Sequence, residues 1–469
     1  MKTVAVIGAG ITGLTAAHCL KAKNIPVKLF EAAPRVGGVV QSLRRDGHLV
    51  EFGPNSILET SPVISDLVRD LGLEGRRMYS DPAAEKRFIV RGKKPVEMPA
   101  SPLGFVGTAL FSPWAKLRLL AEPFIPAAPA EAEESIAQFT CRRLGREFLD
   151  YAIDPLVAGI YAGNPKALSV SQAFPKLHAL EQRYRSLLVG QVLGARERKR
   201  RGEVSKQEAR KFSFDEGLQV LIDALRVRLE DKIETDCAIE CLERRGAHWV
   251  ARLPCGHAVD EGEFGAVLLA LPAHKMAGLK IVDSASLNFA ALGDVYYPPV
   301  ASVVLGFKRA EVGHPLNGFG MLVPEKEGCH ILGALFSSSL FPNRAPKDEV
   351  TITCYIGGAR APLLPSLPAT ALFEMAERDL SIILDIDGKP TFRHATVFRQ
   401  AIPQYNLGFA VFRRLMSEIE DKAPGLFIAG HARDGISLSD SILSGHKAGL
   451  RISDFLANCR PAESQSLVA

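Results

Sequence analysis

Gly8, Gly10 and Gly13 stand between an apolar run at 3–8 and a stretch whose spacing predicts a helix over 11–23. Glu31 closes a second apolar run, VKLFE at 27–31. A strand, a glycine turn, a helix, a second strand and an acid at its end together suit a dinucleotide. Gly8 permits the tight turn, Gly10 lets the backbone approach a pyrophosphate, and Gly13 lets the helix pack on the strand. The helix start then offers free N–H groups and a positive dipole end to the anion. Glu31 can accept hydrogen bonds from both ribose hydroxyls, and its charge would repel a 2′-phosphate, which disfavours NADP. The next residues, EAAPRVGG, place Arg35, Gly37 and Gly38 directly after the acid. A soluble nicotinamide dehydrogenase has no need of this second glycine pair.

These residues need a frame. At 469 residues the chain is too long for one ordinary core, and two or three domains are expected. The βαβ pattern at 3–31 is the first half of a Rossmann-like domain. From about 96 to 210 the pattern is mostly helical, interrupted at Pro99, Pro102, Pro113 and Pro123. It ends in a basic piece, RERKRRGEVSKQEARK at 196–211, which reads as a solvated helix or loop. Strand and helix spacing return from 213, with alternating strands near 233–253 and an apolar run at 266–273. Segments 299–308, 318–323, 330–336 and 350–356 alternate or are β-branched between Gly and Pro, as in an antiparallel sheet.

A second glycine signal lies near the C-terminus. GLFIAG (425–430) reads as an apolar strand ending at a glycine, followed by DGISLSDSILSG (434–445) and a helix from about 438 to 456. The N–H groups at that helix start can face an isoalloxazine or a pyrophosphate. Ser437, Ser439 and Asp440 surround the start, where N-capping and flavin contact are compatible roles.

Both ends resemble the flavin amine oxidase superfamily, in which the extra glycine turn and arginine hold the FAD pyrophosphate. Along nearly the whole chain the likeness sharpens. SPLGFVG (101–107), DPLVAGIYAGNPKALSVSQAFPKLHALEQRYRSLL (154–188), GFGMLVPEKE (318–327), ILGALFSSSLFPNRAP (331–346) and YIGGAR (355–360) are similar to protoporphyrinogen oxidases of the bacterial type. Val39 follows the glycine pair where amine oxidases usually carry Arg, which counts against an amine substrate.

The resemblance implies an α/β fold of the p-hydroxybenzoate hydroxylase kind. Its parts would be a Rossmann-like FAD-binding domain (1–85, 213–295 and 396–469), an antiparallel-sheet substrate domain (86–95 and 296–395) and an inserted helical domain (96–212) able to sit on a membrane. FAD contacts are implied at Gly8, Ala9, Gly10, Ile11, Thr12, Gly13, Glu31, Ala32, Arg35, Gly38, Val39, Gly53, Pro54, Asn55, Ser56, Ile239, Gly430, Ile436, Ser437 and Leu438. Asn55 matches an Asn beside the flavin in part of the family; from its own type it reads as an Asx turn. Substrate contacts are implied at Gly163, at an apolar clamp of Leu322, Leu335 and Tyr355, and at Arg87, the propionate-binding position. From residue type alone, Leu322 and Leu335 are core residues and Arg87 a surface charge.

The implied reaction is hydride transfer from a methylene bridge of a porphyrinogen to flavin N5, with loss of a pyrrole proton. Three two-electron rounds would give the porphyrin, with molecular oxygen reduced to peroxide each time. No side chain has the spacing of a general base. Competing readings are an amine oxidase, a carotenoid desaturase-like enzyme, and a flavin-binding scaffold without turnover.

Composition bounds the rest. The net charge of +5 is small for this length and makes no case for nucleic acid. Eight scattered cysteines form no CxxC pair, so reduced thiols in a cytoplasmic protein are expected, with no metal. Cys237 and Cys241 fall in a stretch that reads as strand. The first residues show no signal-peptide pattern, and no apolar run reaches the ~18–20 residues of a spanning helix. Membrane contact is therefore expected to be peripheral, through 101–126, where Leu, Phe and Trp stand beside Lys116 and Arg118. The assembly is left open, a homodimer included.

Overall fold

The computed structural model describes residues 2–129, 131–191, 193–194, 209–253, 263–283 and 287–458. A five-stranded sheet, parallel throughout, runs in the order Ile233–Glu234, Val27–Phe30, Val4–Ile7, Ala266–Leu269, Leu426–Ile428. Its short strands are apolar on both faces, as a sheet covered on both sides requires. Val4, Val6 and Leu29 join one core cluster, with the helices Ile11–Ala22, Gln219–Leu229 and Leu438–Asn458. Ala5, Ile7 and Phe30 point the other way and join a second, with Trp249 and Phe264. The chain leaves Val4–Ile7 on one side of the sheet and returns on the other at Ala266–Leu269, so the crevice beside Gly8 is a topological switch point.

The second large sheet has seven strands in the order Phe392–Phe398, Val300–Lys308, Glu349–Gly357, Ile331–Leu335, Gly320–Leu322, Arg87–Arg91, Lys94–Glu97. Every neighbouring pair is antiparallel except Gly320–Leu322 with Arg87–Arg91. One face is a closed core: Phe88, Met321, Ala334, Cys354 and Val303 pack with Leu372, Ala376 and Leu380 of the helix Ala369–Leu384. The opposite face carries the substrate-site candidates.

Between the sheets the chain is helical, and two of its prolines begin helices rather than merely interrupting them. Pro102 and Pro113 are first residues of Pro102–Gly107 and Pro113–Leu120, capped by the hydroxyls of Ser101 and Ser112. Fully buried Arg143 joins Glu122 (2.7 Å) and Glu181 (3.2 Å), tying this region together. Of the basic piece, 196–208 lie outside the described residues. Cys237 departs from expectation. The strand at 233 is only two residues long because Asp236 turns the chain at φ 54°, and Cys237 lies in the connection, its N–H bonded to the Glu31 carbonyl.

Candidate active site

The glycine turn is built as its spacing predicts. Gly8 has φ 98°, and a Cβ there would meet the Ala270 carbonyl oxygen at 2.7 Å. A Cβ on Gly13 would lie 1.9 Å from the Gly8 carbonyl oxygen, so only glycine lets helix and strand touch. Gly10 differs: a Cβ would meet nothing within 4 Å. Its side of the helix start is open, and no side chain caps the helix, leaving N–H groups for an anion. Glu31 accepts from the N–H of Ala9 (2.8 Å) and of Ala33 (3.0 Å), which pins the turn to the strand end. A carboxylate has about four acceptor positions, so ribose hydroxyls can still be bound. Gly37 pairs with Gly10, and Gly38 lies against it. Arg35 is exposed and donates to the carbonyls of Val36 (3.2 Å) and Gly38 (2.6 Å), folded onto its own turn. Ala32, Val39 and Ile239 flank this end, and all three are partly or fully exposed.

The last helix completes the crevice. Ser437 and Asp440 cap each other: the Asp440 N–H donates to the Ser437 hydroxyl (3.1 Å), which donates to the Asp440 carboxylate (2.6 Å). Ser439 does not share in the cap. It is buried and bonded through its hydroxyl to the backbone of Leu58. Gly430, at φ 113°, donates its N–H to Ser444 (2.8 Å). Ile436 and Leu438 flank the cap, half-buried. Gly445 lets the two helices meet, since a Cβ there would lie 2.2 Å from the Thr12 carbonyl oxygen. The Thr12 hydroxyl bonds to the Ser441 carbonyl at 3.2 Å, with Ile11 buried beside it. Two helix N-termini thus converge on one crevice, a setting suited to a pyrophosphate.

Register places the substrate candidates on one face. Arg87 is opposite Gly320, Gly320 opposite Leu335, Leu322 opposite Gly333, and Gly333 opposite Tyr355. Directly paired residues share a face, so Arg87, Leu322, Leu335 and Tyr355 project from the same side. All four are half-buried, whereas their chain neighbours Phe88, Met321, Ala334 and Cys354 are buried in the core. Leu322 is also bounded by the helix Asp154–Tyr161, where a Cβ on Gly159 would lie 2.4 Å from its Cδ2. Gly163 is buried, with Gln404 and Leu168 where its side chain would be.

The two halves meet at Asn55. Its amide nitrogen donates to the Gly53 carbonyl (3.3 Å) and to the Tyr355 hydroxyl (2.6 Å), in place of a free Asx turn. A carbonyl can only accept, so Gly53 fixes which way the amide points. Asn55 Oδ1 is then the acceptor left over, and Pro54 and Ser56 hold the loop half-buried on either side. Desolvation, with the Glu51 charge next, raises the Tyr355 phenol well above its ordinary range, so it stays a donor. Sequence reasoning singled out both residues and missed their contact. It also missed Ser302, opposite Tyr355, a buried hydroxyl without a hydrogen-bond partner among the described residues.

Comparison with known proteins agrees with this geometry. The flavin containing amine oxidoreductase family matches residues 11–452. Protoporphyrinogen oxidase 2, chloroplastic/mitochondrial, of Arabidopsis thaliana is 34% identical over 98% of this chain and 95% of its own length. Coproporphyrinogen III oxidase of Bacillus subtilis is 28% identical over 95% of this chain and 97% of its own. A solved Exiguobacterium structure superposes with a TM-score of 0.80 at 23% identity, covering 97% of this chain and 99% of that one, which shows a shared fold. The chain belongs to the flavin-containing amine oxidoreductases and, within them, to the protoporphyrinogen oxidase family. Its cofactor is FAD.

Proposed function

We propose that this enzyme oxidises protoporphyrinogen IX to the porphyrin with oxygen as acceptor, and takes coproporphyrinogen III as a second substrate. The supporting observation is the one sheet face shared by Arg87, Leu322, Leu335 and Tyr355, bordering the Asn55 loop. A porphyrinogen is a broad apolar macrocycle with carboxylate arms, which calls for apolar clamps and a cation. Bound FAD supplies the hydride acceptor and its reoxidation by oxygen. The helix starts at Gly10 and Leu438 would hold the pyrophosphate, and Glu31 the ribose. Leu322, Leu335 and the Tyr355 ring would exclude water and orient the macrocycle, while Arg87 holds a propionate. Asn55 Oδ1, fixed by Gly53 and Tyr355, would accept from a pyrrole N–H at the edge of the cofactor site. Oxygen uptake and porphyrin fluorescence with both porphyrinogens test the reading. Rates no greater than autoxidation with each would refute it.

The reading extends to a membrane surface. Among the described residues no helix is long and apolar enough to cross a bilayer. Leu103, Trp114 and Phe124 are nonetheless 86%, 80% and 88% exposed, with Val106, Leu117 and Leu120 also exposed around them. The adjacent cations are already engaged. Lys116 donates to the carbonyls of Val106 and Thr108, and Arg118 to those of Arg142 and Arg143. Those carbonyls hold the two cations beside the patch without neutralising them, so attraction would be apolar with an added pull on anionic lipid. Flotation with anionic liposomes should exceed that with neutral ones, and a Trp114→Asp/Phe124→Asp variant should stay in the soluble fraction. Absence of the unaltered protein from both lipid fractions would contradict this.

A further inference from the structure

We infer that Lys211 is a second carboxylate-binding cation, acting with Arg87 so that the cleft takes a macrocycle with two acidic arms on one side. This rests on the porphyrinogen reading and names the feature of the substrate that the site selects. The two cations come from different sheets. Arg87 begins Arg87–Arg91, on the same face of the seven-stranded sheet as Leu322 and Tyr355. Lys211 begins Lys211–Phe214, the middle strand of a small separate sheet between Ile57–Leu58 and Arg77–Tyr79. Phe319 joins them in space: its N–H bonds to the carbonyl of Lys86, next to Arg87, and Lys211 Nζ stands 5.7 Å from the centre of its ring.

Three nearby cations have acidic partners, while Arg210, next to Lys211, lies over the Tyr79 ring. Lys86 pairs with Glu97 (2.8 Å), Arg77 with Glu59 (3.2 Å) and Arg76 with Asp215 (2.8 Å). Among the described residues, Arg87 and Lys211 have no ion pair within 4.0 Å and no side-chain hydrogen bond, although both are half-buried. Burial, and after it the Arg87 charge, depresses the Lys211 ammonium; the one acid that opposes this, Glu85, does not reach ion-pair distance. Two neighbouring cations without a counter-ion repel each other, and an entering carboxylate removes that cost. Their chemistry is complementary, because guanidinium grips one carboxylate as a fork while the ammonium is a mobile point charge on a flexible stem. One cation would serve a single propionate. Two neighbouring ones suit adjacent arms on one edge of the ring.

Titration of the FAD-loaded protein with mesoporphyrin IX and with its dimethyl ester, followed by porphyrin absorbance, tests this. Mesoporphyrin is already oxidised, so binding is read without turnover. Lys211→Gln should weaken the diacid about tenfold and leave the diester unchanged, Lys211→Arg should recover most of the loss, and flavin content should stay constant. Lys211→Gln in an Arg87→Ala background should lose less than in the unaltered protein, since both act on the same substrate edge. Equal affinity of Lys211→Gln and the unaltered protein for the diacid would overturn the assignment, as would equal losses for diacid and diester. Failure of the unaltered protein to bind either porphyrin would overturn the porphyrinogen reading as well; normal binding indifferent to Lys211 would overturn this assignment alone.

Discussion

Gly10 has an ordinary φ of −70°, so it is not glycine for reasons of backbone strain. What it provides is room. Gly10→Val should therefore fold, with its side chain filling the open space at the helix start, and purify with a small fraction of its flavin. The ratio of flavin to protein absorbance measures this, and stoichiometric flavin in the variant would remove Gly10 from the cofactor site. His431, the residue after Gly430, makes a different demand. Desolvation, with His274 next, pushes its imidazole down to about 4, and Nε2 lies 3.3 Å from the Tyr297 hydroxyl. An unfolded histidine titrates near 6.5. Between about 6.5 and 4 the unfolded chain takes up a proton that the folded chain refuses, so stability falls as pH drops through that window, by at most ~3 kcal/mol. Urea unfolding at pH 7 and at pH 5 should show a smaller loss for His431→Gln than for the unaltered protein; identical losses would count against it. At this scale the motif residues were legible, because a turn, a pyrophosphate and a ribose each demand a residue type at a spacing. The Tyr355 hydroxyl on Asn55 and the bare charge of Lys211 were not, since each depends on residues far away in the chain. Lys211 ended a basic run that read as solvated.

Among the elements, the pairing of the first and last helices does most to shape the cofactor crevice. Gly445 on the last helix touches the Thr12 carbonyl, and Gly449 one turn on touches Cys19. Gly445→Leu should push the helices apart at an overpacking cost of about 1–3 kcal/mol and weaken FAD binding with it. Thermal unfolding with and without added FAD is the check. A variant with unchanged melting temperature and flavin affinity would mean that the helix starts need not converge. Individual strands were readable from alternation and β-branching, as at Val300–Lys308 and Glu349–Gly357. The glycine stripe of the last helix was not read, because a glycine that admits another helix looks in sequence like one that merely lowers helix propensity. Proline was ambiguous for a related reason: Pro102 and Pro113 break a pattern only when the serine before each is not recognised as a cap.

For the whole molecule, the α/β class followed from two signals that sit far apart in the chain, the glycine turn at 8–13 and the strand and helix near the C-terminus. Their strands lie in one parallel sheet, on either side of the Ala266–Leu269 return. What alternation could not supply was which face of the antiparallel sheet carries Arg87, Leu322, Leu335 and Tyr355. The helix Ala369–Leu384 closes the other one. Crevice and substrate face meet at the Asn55–Tyr355 hydrogen bond, which under the proposed function would put hydride donor and acceptor sites side by side. Under the proposed function, a porphyrinogen bound on this face reduces the flavin directly. Anaerobic stopped-flow mixing of the FAD-loaded protein with protoporphyrinogen IX tests it, without dependence on oxygen. The visible flavin band should bleach within the mixing series at a rate that saturates with substrate, and readmitting oxygen should restore it. A flavin band that stays unbleached at saturating protoporphyrinogen and coproporphyrinogen, in protein that dithionite does reduce, would contradict the account.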